Sequence, residues 1–314
     1  MLRRLPGAGL GLILVLLSLT TSAAAAAQGF TPPEGTLWTK FGVLSHLALD
    51  TFAGLDEVRF EESINAGDRV PFYSVEGDRV GGNLQIYELT GDVIYVPIRG
   101  LRTSFSAPLF KYVRYHNDVN DYTTQAFGPG DINLGAGYQW SPDSWNAYGS
   151  SVTVRAKIPT SFDLPYQNSA SLGDGQMDVG AGLDQTFKVG PLLLDAGVTY
   201  LHRRPFTEGN LTIEPGDELQ LQVALGGSIA QNVWAKVGYS GRLGETWTSA
   251  VGDEPASALI QPFFHGLFSS IYWTLSNDDT STTDLDIWFQ APIAGQDAAI
   301  LWSTGVGYVW APSL

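Results

Sequence analysis

Alternation of apolar and polar residues constrains this chain more than any other feature of its sequence. In "DINLGAGYQW" (131–140), every second residue from Ile132 to Trp140 is apolar or aromatic, and the residues between them are polar or glycine. The segments 151–158 and 176–184 divide in the same way. A period of two fits a β-strand, whose side chains point alternately to opposite faces, and does not fit a helix.

This alternation predicts about twelve strands, and the connections between them alternate in length. Turns such as "RG" (99–100) and "VG" (189–190) are short, whereas segments such as 159–174 are long. Short turns at one end and long loops at the other are typical of outer-membrane barrels, although Greek-key crossovers in a soluble sandwich could imitate part of this sorting. The predicted fold class is all-β: a transmembrane, antiparallel, up-and-down β-barrel of about twelve strands. The strands are predicted near 36–49, 82–98, 101–115, 130–140, 145–158, 175–188, 191–203, 216–230, 232–247, 260–275, 283–293 and 297–310.

The N-terminus predicts export. A basic start, the apolar run "LGLILVLLSL" (10–19) and an Ala-rich site in "AAAAAQ" (23–28) indicate a signal peptide over 1–27. An uncleaved anchor is the alternative, and the apolar run is too short for a spanning helix. The domain prediction is therefore a signal peptide followed by one outer-membrane barrel over 28–314, with 50–81 as a long external loop that folds into a small hairpin.

The composition excludes several classes of function. A net charge of −15 argues against nucleic acid as a partner, because nucleic-acid binding needs a basic surface. The chain has no cysteine, so it forms no disulfide, thiol nucleophile or Cys-rich metal site. Its four histidines are far apart in sequence and have no metal-ligand spacing. We therefore predict no metal site, no cofactor and no catalytic residue.

Aromatic residues are concentrated at the ends of predicted strands. "GAGYQW" (135–140) precedes a short turn, and the similar "GVGYVW" (305–310) ends the last predicted strand, which runs in the same direction. Tyr and Trp combine an apolar ring with a polar tip, and so collect at the membrane–water boundary. Ordinary strand aromatics are the alternative interpretation. The predicted interface aromatics are Tyr138, Trp140, Trp145, Tyr308 and Trp310.

The face opposite the apolar one carries charges of both signs on neighbouring strands. In a barrel this face points into the lumen, and its glycines leave room there and permit the bends that closure needs. Such charges either select a solute or pair across strands to satisfy one another. The predicted pore-lining residues are Arg155, Lys157, Asp178, Asp184, Asp195, Lys236 and Arg242.

Three segments resemble an outer-membrane transporter family named for the meta-pathway of phenol degradation. They are "FGPGDINLGAGYQW" (127–140), "TVRAKIPTSFDLP" (153–165) and "LGDGQMDVGAGLDQTFKVGPLLLDAGVTYLHR" (172–203). The shared features are a Gly-Asp that opens a strand, an Ile-Pro that ends the next strand, and the Gly-rich strand with its paired hairpin. The resemblance implies an outer-membrane channel for aromatic or other small hydrophobic compounds. Outer-membrane barrels usually end on an aromatic residue, whereas this chain continues with "APSL" after Trp310.

The predicted function is a non-enzymatic channel for passive uptake of small molecules in the bacterial outer membrane. The expected partners are outer-membrane lipid and lipopolysaccharide, the barrel-assembly machinery and a small-molecule solute. One alternative is a structural or surface-interaction barrel without transport. Another is an outer-membrane lipid hydrolase that uses His265 with Ser269 or Ser270, although four or five residues along a strand is a poor spacing for contact.

Overall fold

Twelve long strands make up most of the computed structural model, which describes residues 37–49, 56–65, 68–79, 82–117, 122–140, 149–160, 177–208, 211–251, 257–258, 263–278, 281–296 and 302–312. The strands are β1 (Leu37–Leu49), β2 (Gly82–Ile98), β3 (Leu101–Asn117), β4 (Ile132–Trp140), β5 (Gly149–Ile158), β6 (Asp178–Val189), β7 (Leu192–Arg203), β8 (Glu218–Ala230), β9 (Val233–Gly244), β10 (Phe263–Asn277), β11 (Ser281–Gln296) and β12 (Trp302–Pro312). The predicted signal peptide lies outside the described residues.

Each strand pairs antiparallel with the next along the chain, and the last strand closes the sheet on the first. The closing register between β12 and β1 runs from Thr39 opposite Trp310 to Leu47 opposite Trp302. Closure gives each of the twelve long strands a partner on both sides, as a sheet in hydrocarbon requires. The predicted fold class, an antiparallel up-and-down barrel of twelve strands, is confirmed.

The connections are sorted as the sequence predicts. The tight turns at one end include Gly100 and Gly190, whose positive φ angles of 84° and 63° suit glycine. At the other end, Asp56–Asn65 pairs with Asp68–Arg79, which forms the hairpin expected in the loop after β1. A four-stranded sheet joins the loop after β7 to the loop after β9, and consists of Phe206–Glu208, Leu211–Glu214, Thr248–Val251 and Ser257–Ala258.

An additional strand, Tyr122–Gly128, pairs with the upper part of β3, while β4 pairs with the lower part. The pairing of β2 with β3 shifts register at two places, next to Pro97 and at Pro108. Proline cannot donate a hydrogen bond to the ladder, so both residues favour such irregularities in strand pairing. Within the described residues, no helix is long and apolar enough to cross a bilayer.

The barrel exposes its apolar side chains and buries its charged ones. Val43 and Val237 are each 60% exposed, whereas Arg203 is 2% exposed and Asp286 is fully buried. This distribution is the reverse of a water-soluble core, and it suits a wall with hydrocarbon outside and a polar lumen inside.

Candidate functional site: the barrel lumen

Charges of both signs point inward along the described strands. Among those that are buried, line the cavity or pair with a buried charge, eight are acidic and eight are basic, so this part of the lumen is close to neutral although the chain is strongly acidic. The acidic set is Glu88, Asp92, Asp178, Asp184, Asp195, Glu218, Asp284 and Asp286, and the basic set is Lys40, Arg102, Lys111, Arg155, Lys157, Arg203, Lys236 and Arg242.

Ion pairs join many of these charges. The nitrogen-to-oxygen distances are 3.4 Å from Lys111 Nζ to Glu88, 2.8 Å from Lys157 Nζ to Asp178, 2.6 Å from Arg203 Nη2 to Glu218, and 2.7 Å from Lys236 Nζ to Asp195. Lys40 also pairs with Asp286. A buried charge needs such a partner to offset the loss of hydration.

The lumen contains a cavity of about 260 Å³ whose walls come from β2 to β11. Four basic side chains, Arg102, Arg155, Lys236 and Arg242, and three carboxylates, Asp184, Asp195 and Asp286, line it. Three aromatic side chains share the wall formed by β10 and β11, namely Phe268, Tyr272 and Trp288. The cavity therefore combines ionic and aromatic surfaces.

The structure divides the seven residues predicted to line a pore into two groups. Five contribute to the cavity wall: Arg155, Asp184, Asp195, Lys236 and Arg242. Lys157 and Asp178 face each other in adjacent strands, pair with each other, and lie outside the cavity wall. Whether any of the seven contacts a solute stays a prediction.

Sequence analysis missed several inward-facing residues on β1, β2, β3, β10 and β11. Lys40 and Asp92 lie opposite each other on β1 and β2, and Arg102 lies on β3. Trp288 and Tyr272 are aromatic residues that face inward, so apolar residues occupy both faces of their strands. The Lys40 and Arg102 positions carried a usable signal, since each is a lone basic residue in an otherwise uncharged stretch of strand.

Glycines of the two recurring motifs make room for side chains of neighbouring strands. A Cβ at Gly135 would overlap Ser104 Oγ, and one at Gly137 would lie 3.2 Å from Arg102 Nε. In the second motif, a Cβ at Gly305 would overlap the ring of Trp288. Gly307 is covered by Lys40, as a Cβ there would overlap Lys40 Cε.

The predicted interface aromatics point away from the lumen. Tyr138, Trp140, Tyr308 and Trp310 are each 43% to 50% exposed, and the Tyr138 and Trp140 rings stack with centroids 6.3 Å apart. Trp145 lies outside the described residues. The position of these rings relative to a bilayer stays a prediction.

His265 lies on the outer face of β10. Tyr239 and His265 hydrogen-bond through the hydroxyl and Nδ1, and Phe263 also contacts the imidazole. Ser270 faces the lumen, on the opposite side of β10 from His265, so these two side chains do not form a catalytic pair. No group of three or more potential metal ligands occurs among the residues that the structure describes.

Asp217, in the loop before β8, accepts hydrogen bonds from three neighbours. Its carboxylate accepts from the Tyr200 hydroxyl and from the Arg203 backbone N–H at 3.1 Å, and it lies 3.0 Å from His202 Nδ1. Burial raises the pKa of Asp217, but the hydrogen bonds together lower it by a larger amount. The pKa therefore lies below its ordinary value of 3.8. The ionised carboxylate therefore stabilises the folded state.

We expect Asp217→Asn to lower the thermal unfolding midpoint at pH 7 by about 2–4 °C, the size expected for losing one net hydrogen bond. Because the folded pKa is depressed, this stabilisation is complete above pH 3.8 and disappears as the pH falls through the folded pKa. Tryptophan fluorescence during heating, at neutral and at strongly acidic pH, measures the difference. Glu214→Gln, at an exposed position in the same loop, is the control. An effect that persists unchanged in strong acid contradicts the prediction.

Comparisons with known proteins reveal the fold. No protein-family model matches the sequence, so the resemblance to the phenol-degradation family stays a prediction. No protein of curated function matches it either. An outer-membrane channel from Pseudomonas putida F1 is similar in structure, with a TM-score of 0.65 and 13% identity over 90% of this chain and 98% of that chain. The translocator domain of the autotransporter NalP from Neisseria meningitidis has a TM-score of 0.46 and 9% identity over 94% of each chain.

A closed twelve-stranded barrel, an exposed apolar exterior and a buried polar lumen together describe a bacterial outer-membrane protein. Many outward positions of the described strands carry exposed large apolar side chains, and a continuous apolar surface of this kind is rare on soluble monomeric proteins.

Proposed function

We propose that this protein is a passive channel through which small molecules cross the outer membrane, moving down their concentration gradient through the lumen. The observation that carries the proposal is the cavity of about 260 Å³ inside the closed barrel. Ten of the twelve strands contribute to its wall, so it lies within the lumen rather than between loops. Polar groups along such a wall replace part of the hydration shell of a passing solute.

The aromatic surface of the cavity favours small aromatic or hydrophobic compounds as solutes. Phe268, Tyr272 and Trp288 lie on adjacent strands, with Trp288 seated in the space left by Gly305. Flat aromatic surfaces bind other aromatic rings by offset stacking or edge contacts. The cavity volume is below the usual range for drug-sized ligands, which favours molecules with a single ring.

The test is conductance and uptake by the purified protein. In planar bilayers, the wild-type protein is expected to give steady single-channel currents. Liposomes that contain it are expected to admit an uncharged aromatic compound faster than a sugar of similar size. A folded barrel that passes neither ions nor solutes would overturn the proposal, and would favour a surface-interaction barrel, for which the four-stranded loop sheet offers a binding surface.

We also propose that the aromatic residues at the ends of β4 and β12 lie at the periplasmic boundary of the membrane. Because the chain has no cysteine, a single introduced cysteine can carry a nitroxide label. Val306 and Trp310 are four residues apart on the same outward face, which corresponds to about 13 Å along the strand. We expect label at Trp310→Cys to be more accessible to a water-soluble nickel complex, and label at Val306→Cys to be more accessible to oxygen. Equal accessibilities would contradict this placement.

A further inference from the structure

The outer surface of β2, β3 and the additional strand Tyr122–Gly128 is ordered into rows near the long-loop end of the barrel. Glu88 on β2 and Lys111 on β3 are buried and pair with each other on the lumen side. Their sequence neighbours therefore face outward, and the strand registers place these neighbours side by side across the three strands. In outer-membrane barrels the end with the longer loops faces the outside of the cell.

One of these rows is aromatic. Tyr87 lies opposite Tyr112, and Tyr112 lies opposite Phe127. The Tyr87 and Tyr112 rings stack with centroids 6.3 Å apart. Below this aromatic row, Leu89 and Phe110 are exposed, and Phe110 stacks with Phe127 at a centroid distance of 5.8 Å. Aromatic side chains above an apolar surface are typical of the boundary between hydrocarbon and lipid headgroups.

The next row toward the loops is polar and carries a positive charge. Arg114 on β3 lies directly opposite Gln85 on β2 and directly opposite Gln125 on the additional strand. The Tyr112 hydroxyl donates to the Gln125 carbonyl oxygen at 3.2 Å, which leaves the amide N–H groups of Gln125 as donors. Arg114 is exposed, and it forms no ion pair with the residues that the structure describes. This polar row therefore presents a guanidinium and amide donors on the outer surface.

Tyr95 indicates the depth of these rows in the membrane. Tyr87 and Tyr95 are exposed on the same face of β2, and the eight residues that separate them span about 26 Å along the strand. The tilt of a barrel strand reduces this span to about 20 Å of height, close to the apolar band of about 25 Å that aromatic girdles flank. Leu89 and Val93, between the two tyrosines, are exposed and apolar. The polar row then lies just outside the band, at the depth of lipid headgroups.

The chemistry of the polar row suits a phosphate group. A guanidinium binds phosphate with two parallel hydrogen bonds, and arginine is the residue of choice for this recognition. The outer leaflet of a bacterial outer membrane consists of lipopolysaccharide, whose lipid anchor carries phosphates and acyl chains. An exposed arginine on an otherwise acidic chain is complementary in charge to these phosphates. The apolar and aromatic rows lie beneath it, where the acyl chains of the same lipid would run.

We propose that Arg114, together with Gln85 and Gln125, binds a phosphate group of lipopolysaccharide, and that the acyl chains of this lipid pack against the aromatic and apolar rows beneath. The site belongs to the outer surface of the barrel. It is therefore independent of the proposed channel function, and it holds whether or not the lumen conducts.

The experiment measures the binding of lipid A, the phosphorylated anchor of lipopolysaccharide, to the detergent-purified barrel by native mass spectrometry. The test variant is Arg114→Gln. The matched control is Arg99→Gln, which removes the same charge at the exposed turn on the opposite end of the β2–β3 hairpin. Arg114→Lys provides a second test, because it keeps the charge and loses the planar, two-bond geometry. Heat-dependent mobility on gels confirms folding of each variant.

We expect Arg114→Gln to bind lipid A about tenfold more weakly than the wild type, as for the loss of one charge-assisted hydrogen bond. Arg99→Gln should bind as the wild type does, and Arg114→Lys should bind with intermediate affinity. Lipid A without its phosphates should bind equally weakly to the wild type and to Arg114→Gln.

Equal affinities of the wild type and Arg114→Gln for lipid A would overturn the site. The same conclusion follows if removal of the phosphates leaves the wild-type affinity unchanged. Inorganic phosphate is the competitor that separates a lipid site from a site for the free ion. If inorganic phosphate displaces lipid A completely, the acyl chains contribute nothing and the lipid site is overturned.

Discussion

Replacing Gly307 by leucine is expected to remove most of the folded protein from the outer membrane. Gly307 on β12 lies directly opposite Asp286 on β11 and Gly42 on β1. The side chain of Lys40 runs over Gly307 to reach Asp286, which is fully buried. A leucine would occupy that path and leave the Asp286 carboxylate without its cation.

The expected cost is large because two effects combine. Breaking a buried ion pair on one side costs about 3–5 kcal/mol, and overpacking costs about 1–3 kcal/mol more. Together these approach the whole stability of many folded proteins. The heat-dependent gel mobility of protein from outer-membrane fractions measures the folded fraction.

The neighbouring residue provides the matched control. Val306 is 47% exposed on the outer face of the same strand, so Val306→Leu adds apolar bulk there without touching the lumen. Its folded fraction should equal that of the wild type. Lys40→Met should also lose folded protein, and the double variant Lys40→Met/Asp286→Leu should recover much of it, because it removes both charges together. Equal folded fractions for Gly307→Leu and Val306→Leu would show that the ion pair does not stabilise the closure of the barrel at β12.

Replacing Gln222 by tryptophan is expected to remove most of the conductance while the barrel stays folded. Gln222 lines the cavity from β8, between Gly197 on β7 and Ser240 on β9. An indole at this position would project into a space of only about 260 Å³. Because pore diameter limits flux, a ring of this size should narrow the passage severely.

The control for this blockade is Val223→Trp, on the same strand and 47% exposed toward the lipid. It introduces the same side chain one residue away, on the face that suits an indole, and should leave the conductance unchanged. Single-channel currents and liposome uptake measure both variants. If Gln222→Trp conducts as the wild type does, solutes do not pass through this cavity.

The fold was predictable because a barrel wall in lipid must be apolar at every outward position. Segments such as 131–140 alternate cleanly because their inward residues are glycine or polar. The same regularity predicted the charges on β5 to β9, five of which line the cavity. Alternation fades on β10 and β11, where Phe264, Phe268, Tyr272 and Trp288 also face inward, so both faces of these strands read as apolar.

The partners of the lumenal charges were not predictable from sequence. Arg155 bonds to Gln220, 65 residues away, and Lys40 bonds to Asp286, 246 residues away. Each contact depends on the curvature of the barrel wall and on a glycine that leaves space for the long side chain. Arg155 passes over Gly180, and Lys40 passes over Gly307. A period of two reveals which face of the sheet a residue occupies. It does not reveal which distant residue its side chain contacts inside the lumen.

The contact between Lys40 and Asp286 also bears on the order of folding. The two residues belong to β1 and β11, and β12 lies between those strands. The ion pair can therefore form only after the final strand has been inserted, which is the last step of barrel assembly. Until then the Asp286 carboxylate lacks its lysine, which makes an unclosed intermediate less stable than the finished barrel. A contact between residues 246 positions apart also forms late because closing so long a segment costs conformational entropy. The barrel therefore gains its last large increment of stability in the step that pairs its two open edges.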